Sequence, residues 1–114
     1  MQVSAVVPVY NSEASLATLV GQLADVLAES ATDYEIVLVD DRSADGSWVQ
    51  ILELADRHPG VVGVRLARNV GEQSALLCGI RSARFEVIVT LDDDLQHPPT
   101  EIPVLLRELA EGPD

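Results

Sequence analysis

Short apolar runs alternate along the chain with longer stretches that are apolar on one side only. Val3 to Val9 is a continuous apolar run closed by Pro8 and by Tyr10-Asn11-Ser12, and it predicts a buried strand. Asn11 or Ser12 is expected to cap the helix that follows. In that helix Leu16, Leu19, Val20, Leu23, Val26 and Leu27 recur at steps of three and four. Ile36 to Val39 predicts a second buried strand, running into the polar loop Asp40 to Ser47. Trp48, Ile51, Leu52 and Ala55 make the face of a second helix, which ends before Pro59-Gly60. Val61 to Leu66 predicts a third strand and Arg68-Asn69-Val70-Gly71 a loop. Ala75, Leu76, Gly79, Ile80 and Ala83 line a third helix. A glycine inside such a face costs about 1 kcal/mol relative to alanine, so Gly79 predicts a close approach of helix to sheet. Val87 to Leu91 is β-branched and apolar throughout, as in a fully buried strand. Pro98-Pro99 opens a fourth helix with Ile102, Leu105, Leu106 and Leu109 on one face.

The order is therefore βαβαβαβα over one domain, residues 1–114. Buried strands alternating with one-faced helices specify an α/β fold: a Rossmann-like parallel sheet with helices on both faces. Such sheets bind ligands beyond the carboxyl ends of their strands, where the strand order reverses. The chemically unusual residues all fall at such ends: Pro8 to Glu13, Asp40-Asp41, Arg68 to Gly71, and Asp92 to Gln96. A convergence of four loops is harder to explain as surface decoration than any one of them.

The last of these loops is the sharpest. A strand running straight into Asp92-Asp93-Asp94 sends alternate side chains to opposite sides, so Asp92 and Asp94 are expected together and Asp93 apart. Two converging carboxylates repel unless a cation sits between them, and oxygen ligands favour Mg²⁺ or Mn²⁺. The plain alternative is a solvated acidic loop favoured by the dipole of the following helix.

Charge narrows the partners. The formal net charge is -12, which excludes a basic face for nucleic acid. A phosphorylated ligand would need a metal or a few placed cations. Neither a GxxxxGK[ST] loop nor a GxGxxG fingerprint is present, so a glycine-rich backbone does not cradle phosphate here. A metal on Asp92 and Asp94 would bridge diphosphate oxygens instead. The single cysteine, Cys78, reads as a small buried filler and points to a reducing compartment. No apolar run approaches the ~18 residues of a membrane span, and no basic stretch leads into an apolar one as in a secretory signal.

The remaining candidates each have a duller reading. Tyr10 is either a loop aromatic or a platform for a base. Asp40 and Asp41 are either turn formers or acceptors for a base or ribose. Arg68 is either a solvated charge or a phosphate partner. Asn69 and Gly71 shape a turn, His97 is a polar residue at a helix start, and His58 is surface.

These motifs together resemble inverting family-2 glycosyltransferases of the GT-A fold, specifically their nucleotide-binding half. The resemblance runs over essentially the whole chain. It rests on Val7-Pro8-Val9-Tyr10-Asn11, Val39-Asp40-Asp41, Arg68-Asn69-Val70-Gly71 and Leu91-Asp92-Asp93-Asp94-Leu95-Gln96-His97-Pro98-Pro99. The last matches the DXD segment of the polyprenyl-phosphate glycosyltransferases, the group of dolichol-phosphate mannose synthases and undecaprenyl-phosphate sugar transferases, and is the most specific. The resemblance implies that Asp92 and Asp94, with Gln96, hold the metal and the donor diphosphate. It puts Pro8, Tyr10 and Glu13 on the nucleoside and Asp40 on the base. Four positions depart from the family pattern. Ser12 replaces an acid, Arg42 stands where Gly or Asn is usual, Asp93 replaces a small residue, and Phe85 stands where Gly is common.

The expected reaction moves a sugar from a UDP- or GDP-sugar to a polyprenyl phosphate with inversion, assisted by Mg²⁺ or Mn²⁺. An ionised phosphate is already a nucleophile, so the lack of an obvious general base is tolerable. The alternatives are a family-2 enzyme with a saccharide hydroxyl acceptor and a non-catalytic nucleotide-binding module. A receiver-type Mg²⁺-binding switch fits less well, because Tyr10-Asn11 follows the first strand where such a domain has an acid pair. Family members continue with an acceptor-binding half and often membrane anchors. The chain is thus expected to be a truncated piece of a longer parent, working at the inner face of the cytoplasmic membrane. Alone it should be incompletely active and, with apolar surface uncovered, should self-associate.

Overall fold

The computed structural model describes residues 1–94 and 98–111. Four strands form one parallel sheet: β1 (Gln2–Val9), β2 (Asp33–Asp40), β3 (Val61–Arg65) and β4 (Val87–Thr90). Their order is β3-β2-β1-β4. The helices are α1 (Leu16–Ser30), α2 (Ser47–Arg57), α3 (Glu72–Ser82) and α4 (Ile102–Glu111), the last entered through a 3-10 turn at Pro99–Glu101.

Side-chain alternation along the two central strands builds two layers. Val3, Ala5, Val7, Val9, Ile36 and Leu38 face one way and pack with Leu16, Leu19, Leu23 and Leu27 of α1, Ile51 and Leu54 of α2, and Ile102 and Leu106 of α4. Val6, Val37 and Val39 face the other way, against Ala75 of α3. Each fully buried leucine of α1 stabilises this arrangement by about 1.5–3 kcal/mol relative to exposure. The predicted Rossmann-like sheet with helices on both faces is thus the observed one.

Gly79 is where α3 lies closest to the sheet. A Cβ there would collide with Val6 Cγ1 and come within 2.8 Å of Val39 Cγ2. The close approach expected from the sequence is present, and it accounts for a glycine in mid-helix.

Several boundaries differ from the pattern-based expectation. α1 begins at Leu16, with Ser15 rather than Asn11 or Ser12 at its N-cap. The Ser12 carbonyl accepts from the Ser15 and Leu16 backbone N–H groups, forming a turn ahead of the helix. β2 begins at Asp33, because the polar stretch before Ile36 pairs in register with Gln2, Val3 and Ser4. Glu35 is buried there, its carboxylate accepting from Ser4 Oγ at 2.7 Å and the Arg84 N–H at 2.6 Å. On α2, Leu54 turns inward and Leu52 stays exposed. On α4, Ile102 and Leu106 are buried while Leu105 and Leu109 remain exposed. Cys78 is half-buried rather than a core filler.

The largest correction concerns β4. Among the described residues it is an edge strand, paired only with β1, and its residues are half-buried or exposed. An apolar, β-branched run reads the same whether its second edge is covered or open, so the pattern could not distinguish the two. The edge position has a functional consequence. From β1 the chain steps to β2 and β3 on one side and returns to β4 on the other, so the strand order reverses between β1 and β4. The crevice beyond the carboxyl ends of these two strands is where doubly wound sheets bind ligands.

Candidate functional site

A cavity of about 490 Å³ opens at that crevice. Pro8, Val9 and Tyr10 line it from the end of β1, Asp41 from the end of β2, and Asn69, Gly71 and Glu72 from the entry to α3. Asp92, Asp93 and Asp94 line it from the turn after β4. Loops predicted to converge do converge, and each is held by identifiable bonds.

The loop after β1 is set by Asn11, whose φ of 51° is left-handed, a conformation that asparagine tolerates. Its N–H donates to Ser43 Oγ at 2.9 Å and its side-chain oxygen accepts from the Ala44 N–H at 2.8 Å. The Ser12 N–H donates to Ser47 Oγ at 2.9 Å. The loops after β1 and β2 are therefore laced together. Arg42 lies in the loop after β2 with φ 61°, a left-handed backbone at the position where the family pattern has Gly or Asn. That conformation costs a residue with a Cβ about 1–2 kcal/mol.

Asp41 fixes the loop before α3. It is buried, and its carboxylate accepts from Asn69 Nδ2 at 3.1 Å, the Val70 N–H at 2.8 Å and the Gly71 N–H at 3.0 Å. Gly71 has φ 96°, so glycine is required where the chain turns into α3. Asp40 and Asp41 thus divide their tasks. Asp40 is fully buried beneath the loop, accepting from the Ser43 N–H at 3.3 Å and paired with Arg65 Nε at 3.5 Å. It does not line the cavity, whereas Asp41 does.

Tyr10 is half exposed and lines the cavity. Glu13 points elsewhere: its carboxylate accepts from the Gly46 N–H at 3.0 Å, at the start of α2. The nearby Asp45 carboxyl is held below the usual carboxylate range. Desolvation, the largest single effect, opposes this shift and is outweighed together by hydrogen bonds from the Ser47 hydroxyl and the Ser47, Glu13 and Asp45 N–H groups. Arg68 is exposed and is not among the lining residues, although its neighbours Asn69 and Gly71 are. Gln96, expected beside the metal, lies outside the described residues, as does His97.

The acidic turn departs from the alternation expected of it. β4 ends at Thr90, and Asp93 and Asp94 sit in a turn, so period two no longer applies and all three aspartates line the cavity. Glu72, at the first position of α3, joins them. Its carboxyl pKa is raised by loss of hydration, by a hydrogen bond shared with Asp92, and by the charges of Asp92, Asp93 and Asp94. Sequence reading missed Glu72 because an acid in a first helical turn is ordinary. Its one signal was its place directly after the Gly71 turn at the carboxyl edge.

Among the described residues, no group of three or more His, Cys, Asp or Glu side chains is arranged to hold a metal ion by itself. Mg²⁺ and its relatives, however, are commonly held by one or two carboxylates together with substrate phosphates. Glu72, Asp92, Asp93 and Asp94 lining one cavity give such an open site the right donor oxygens. The mutual repulsion that raises the Glu72 pKa is what a bound cation would relieve. The residues present therefore fit a divalent ion shared with a ligand.

Comparison with known proteins gives one consistent picture. The family described as Glycosyl transferase family 2 matches residues 4–114. An undecaprenyl-phosphate 4-deoxy-4-formamido-L-arabinose transferase of Pseudomonas aeruginosa is 46% identical over 114 residues, covering 98% of this chain and 33% of its own length. Its counterpart in Aeromonas hydrophila is 42% identical over 113 residues, covering 98% and 35%. The chain thus spans about a third of the length of the curated relatives it matches. Among solved structures, the mannosyltransferase PcManGT of Pyrobaculum calidifontis, in complex with GDP-Man and Mn²⁺, superposes with a TM-score of 0.73 at 27% identity, covering 95% of this chain and 32% of that one. S. aureus TarS 1-349 in complex with UDP-GlcNAc superposes with a TM-score of 0.64 at 29% identity, covering 82% and 27%. With the matched family spanning nearly the whole chain and a sheet like those of its structural neighbours, the protein belongs to glycosyl transferase family 2.

Proposed function

We propose that residues 1–114 form the donor-binding part of a glycosyltransferase that moves a sugar from a nucleoside diphosphate to a polyprenyl phosphate. The observation that carries the reading is the lining of the cavity: Glu72, Asp92, Asp93 and Asp94 share it with Tyr10, and no arginine joins them among the described residues. An anionic diphosphate approaching this wall alone would be repelled. With a divalent cation the same wall becomes a binding surface. Such an ion, when bound, neutralises the charge that builds on the leaving diphosphate.

The chain's own residues supply orientation. Tyr10 offers its ring to the nucleoside base at the rim. Asp41 holds Gly71 and Asn69 so that the cavity floor keeps its shape. Asp92 and Asp94 would hold the cation at the diphosphate end. A lipid phosphate oxygen then forms a bond to the anomeric carbon as the bond to the diphosphate breaks, so the product is inverted. The acceptor is already ionised, and no proton has to be moved. UDP-GlcNAc in the TarS complex and GDP-Man with Mn²⁺ in the Pyrobaculum complex support a nucleotide-sugar donor. The names of the Pseudomonas and Aeromonas relatives support undecaprenyl phosphate as the acceptor. Acceptor binding falls outside residues 1–114 in this reading, and the reaction takes place at the cytoplasmic face of the membrane. Among the described residues, no helix is long and apolar enough to cross a membrane.

The test is a chimera in which residues 1–114 replace the matching third of the Pseudomonas aeruginosa relative. Incubated with radiolabelled nucleotide sugars, Mn²⁺ and undecaprenyl phosphate, it should form labelled glycolipid, while the 114-residue chain alone binds donor and turns over poorly. A folded chimera that binds nucleotide but labels only saccharide acceptors would overturn the lipid-phosphate assignment.

A further inference from the structure

Asp93 stands apart from the other acids of the cavity. Its Oδ2 accepts the Tyr10 backbone N–H at 2.9 Å and also the Ser12 hydroxyl. Its backbone carbonyl accepts from Ser15 Oγ at 2.6 Å. One residue of the turn after β4 is therefore bonded to three positions of the segment between β1 and α1, about eighty residues earlier in the chain. The Ser12 hydroxyl lies 3.1 Å from the Tyr10 carbonyl as well, so the bonds close around the backbone of Tyr10 itself.

The electrostatics make this arrangement informative. Asp93 adds a negative charge to a wall that must receive an anion, and its charge is among those that push up the Glu72 pKa. By charge alone it would hinder binding. A small residue would avoid that cost but could not accept from Tyr10 and Ser12. Hydrogen bonds to a carboxylate are roughly twice as strong as neutral ones, so the compensation lies in the link it makes.

We propose that Asp93 is a positioning residue: it latches the acidic turn after β4 to the loop after β1, so that the cation-binding carboxylates and the Tyr10 platform act as one unit. The cation and the nucleoside then contact two ends of a single rigid piece, and binding of either favours the other. The inference rests on the nucleotide-binding reading of the cavity. It adds that the coupling between metal and nucleoside runs through Asp93, which need not touch either ligand.

The experiment measures the affinity of uridine and guanosine, which carry no phosphate to meet the cation directly, by calorimetry with and without Mn²⁺, and takes the ratio of the two dissociation constants as the coupling; UDP and GDP are titrated with Mn²⁺ in parallel as a check of the site. Asp93→Ala should weaken nucleoside binding with Mn²⁺ by about tenfold, the scale of a charge-assisted hydrogen bond, and bring the ratio towards one. Asp93→Asn keeps an acceptor oxygen and should retain most of the coupling. Ser12→Ala should move the ratio in the same direction by a smaller factor. Asp93→Ala with Ser12→Ala should be no worse than Asp93→Ala alone, because both cut the same link. A purely structural role would lower melting temperature and both affinities together and leave the ratio unchanged. An unchanged ratio in Asp93→Ala would overturn the proposal while leaving the nucleotide site intact. Should Asp93→Ala not fold, an unchanged ratio in Ser12→Ala overturns it equally. If the wild-type chain binds neither nucleotide, the reading of the cavity fails and the latch fails with it.

Discussion

The backbone N–H of Gly71 donates to the Asp41 carboxylate at 3.0 Å, across thirty residues of chain. Through this bond and its two companions, the end of β2 decides where α3 begins and hence where Glu72 stands beside Asp92. Asp41→Ala would leave two backbone donors without their acceptor and the Asn69 amide with the Asp41 carbonyl alone. It should cost about 3 kcal/mol, the sum of a few charge-assisted hydrogen bonds, and weaken nucleotide binding as the loop shifts. Asp41→Asn, which keeps one acceptor oxygen, should cost about half as much. Urea denaturation of the two variants beside the wild type checks both, and equal stability of all three would contradict the assigned role.

Gly79→Ala tests the packing of α3 on the sheet. Helix propensity alone would make the change favourable by about 1 kcal/mol. The added methyl group, however, would meet Val6 and Val39, which are fully buried and have no room to move. Overpacking of this kind costs about 1–3 kcal/mol, so net destabilisation is expected. A second change, Val6→Ala, removes the nearest obstacle and should make Gly79→Ala less harmful in that background than in the wild type. The same denaturation curves read this out.

Much of the fold was legible in the chain. The strands announced themselves as apolar runs, the helices as steps of three and four, and Gly79 as a contact. What stayed hidden was lateral position. Nothing in Val87-Ile88-Val89-Thr90 tells whether a neighbour covers its second edge. Adjacent Asp40 and Asp41 likewise look equivalent until β2 is placed between β1 and β3, which buries the first under Arg65 and turns the second to the cavity. The site was legible at Pro8, Tyr10, Asp41, Asp92 and Asp94. Glu13, carried by resemblance, and Arg68, read from its place after the third strand, do not line the cavity, and Glu72 entered it unannounced.

The raised pKa of Glu72 gives a pH signature. Its carboxyl ionises above the ordinary value of 4.5 in the folded chain, so the folded state holds its proton more tightly than the unfolded state does. Its ionised form therefore weakens the fold as pH rises through and beyond that value. Glu72→Gln removes the penalty. The variant should melt higher than the wild type at neutral pH, and the gain should fade as pH drops below 4.5. Adding Mn²⁺ should narrow the neutral-pH gap by stabilising the wild type more. A constant gap across the pH range would contradict the electrostatic origin.

α4 leaves Val104, Leu105 and Leu109 about half exposed. With this much apolar surface on one helix, the isolated chain should self-associate. Sedimentation velocity should show a sedimentation coefficient that rises with concentration, and Leu105→Glu with Leu109→Glu should suppress the rise. A wild-type monomer at all concentrations would count against the prediction.

The central claim is that the acidic crevice between β1 and β4 binds a nucleoside diphosphate only together with a divalent cation. Calorimetric titration of UDP and of GDP into the chain, with Mn²⁺ and then with excess chelator, tests it most directly. Binding of at least one nucleotide with Mn²⁺, lost on chelation and lost in Asp92→Asn and Asp94→Asn, is the predicted result. Equal affinity with and without the cation, or wild-type affinity in both variants, would contradict it.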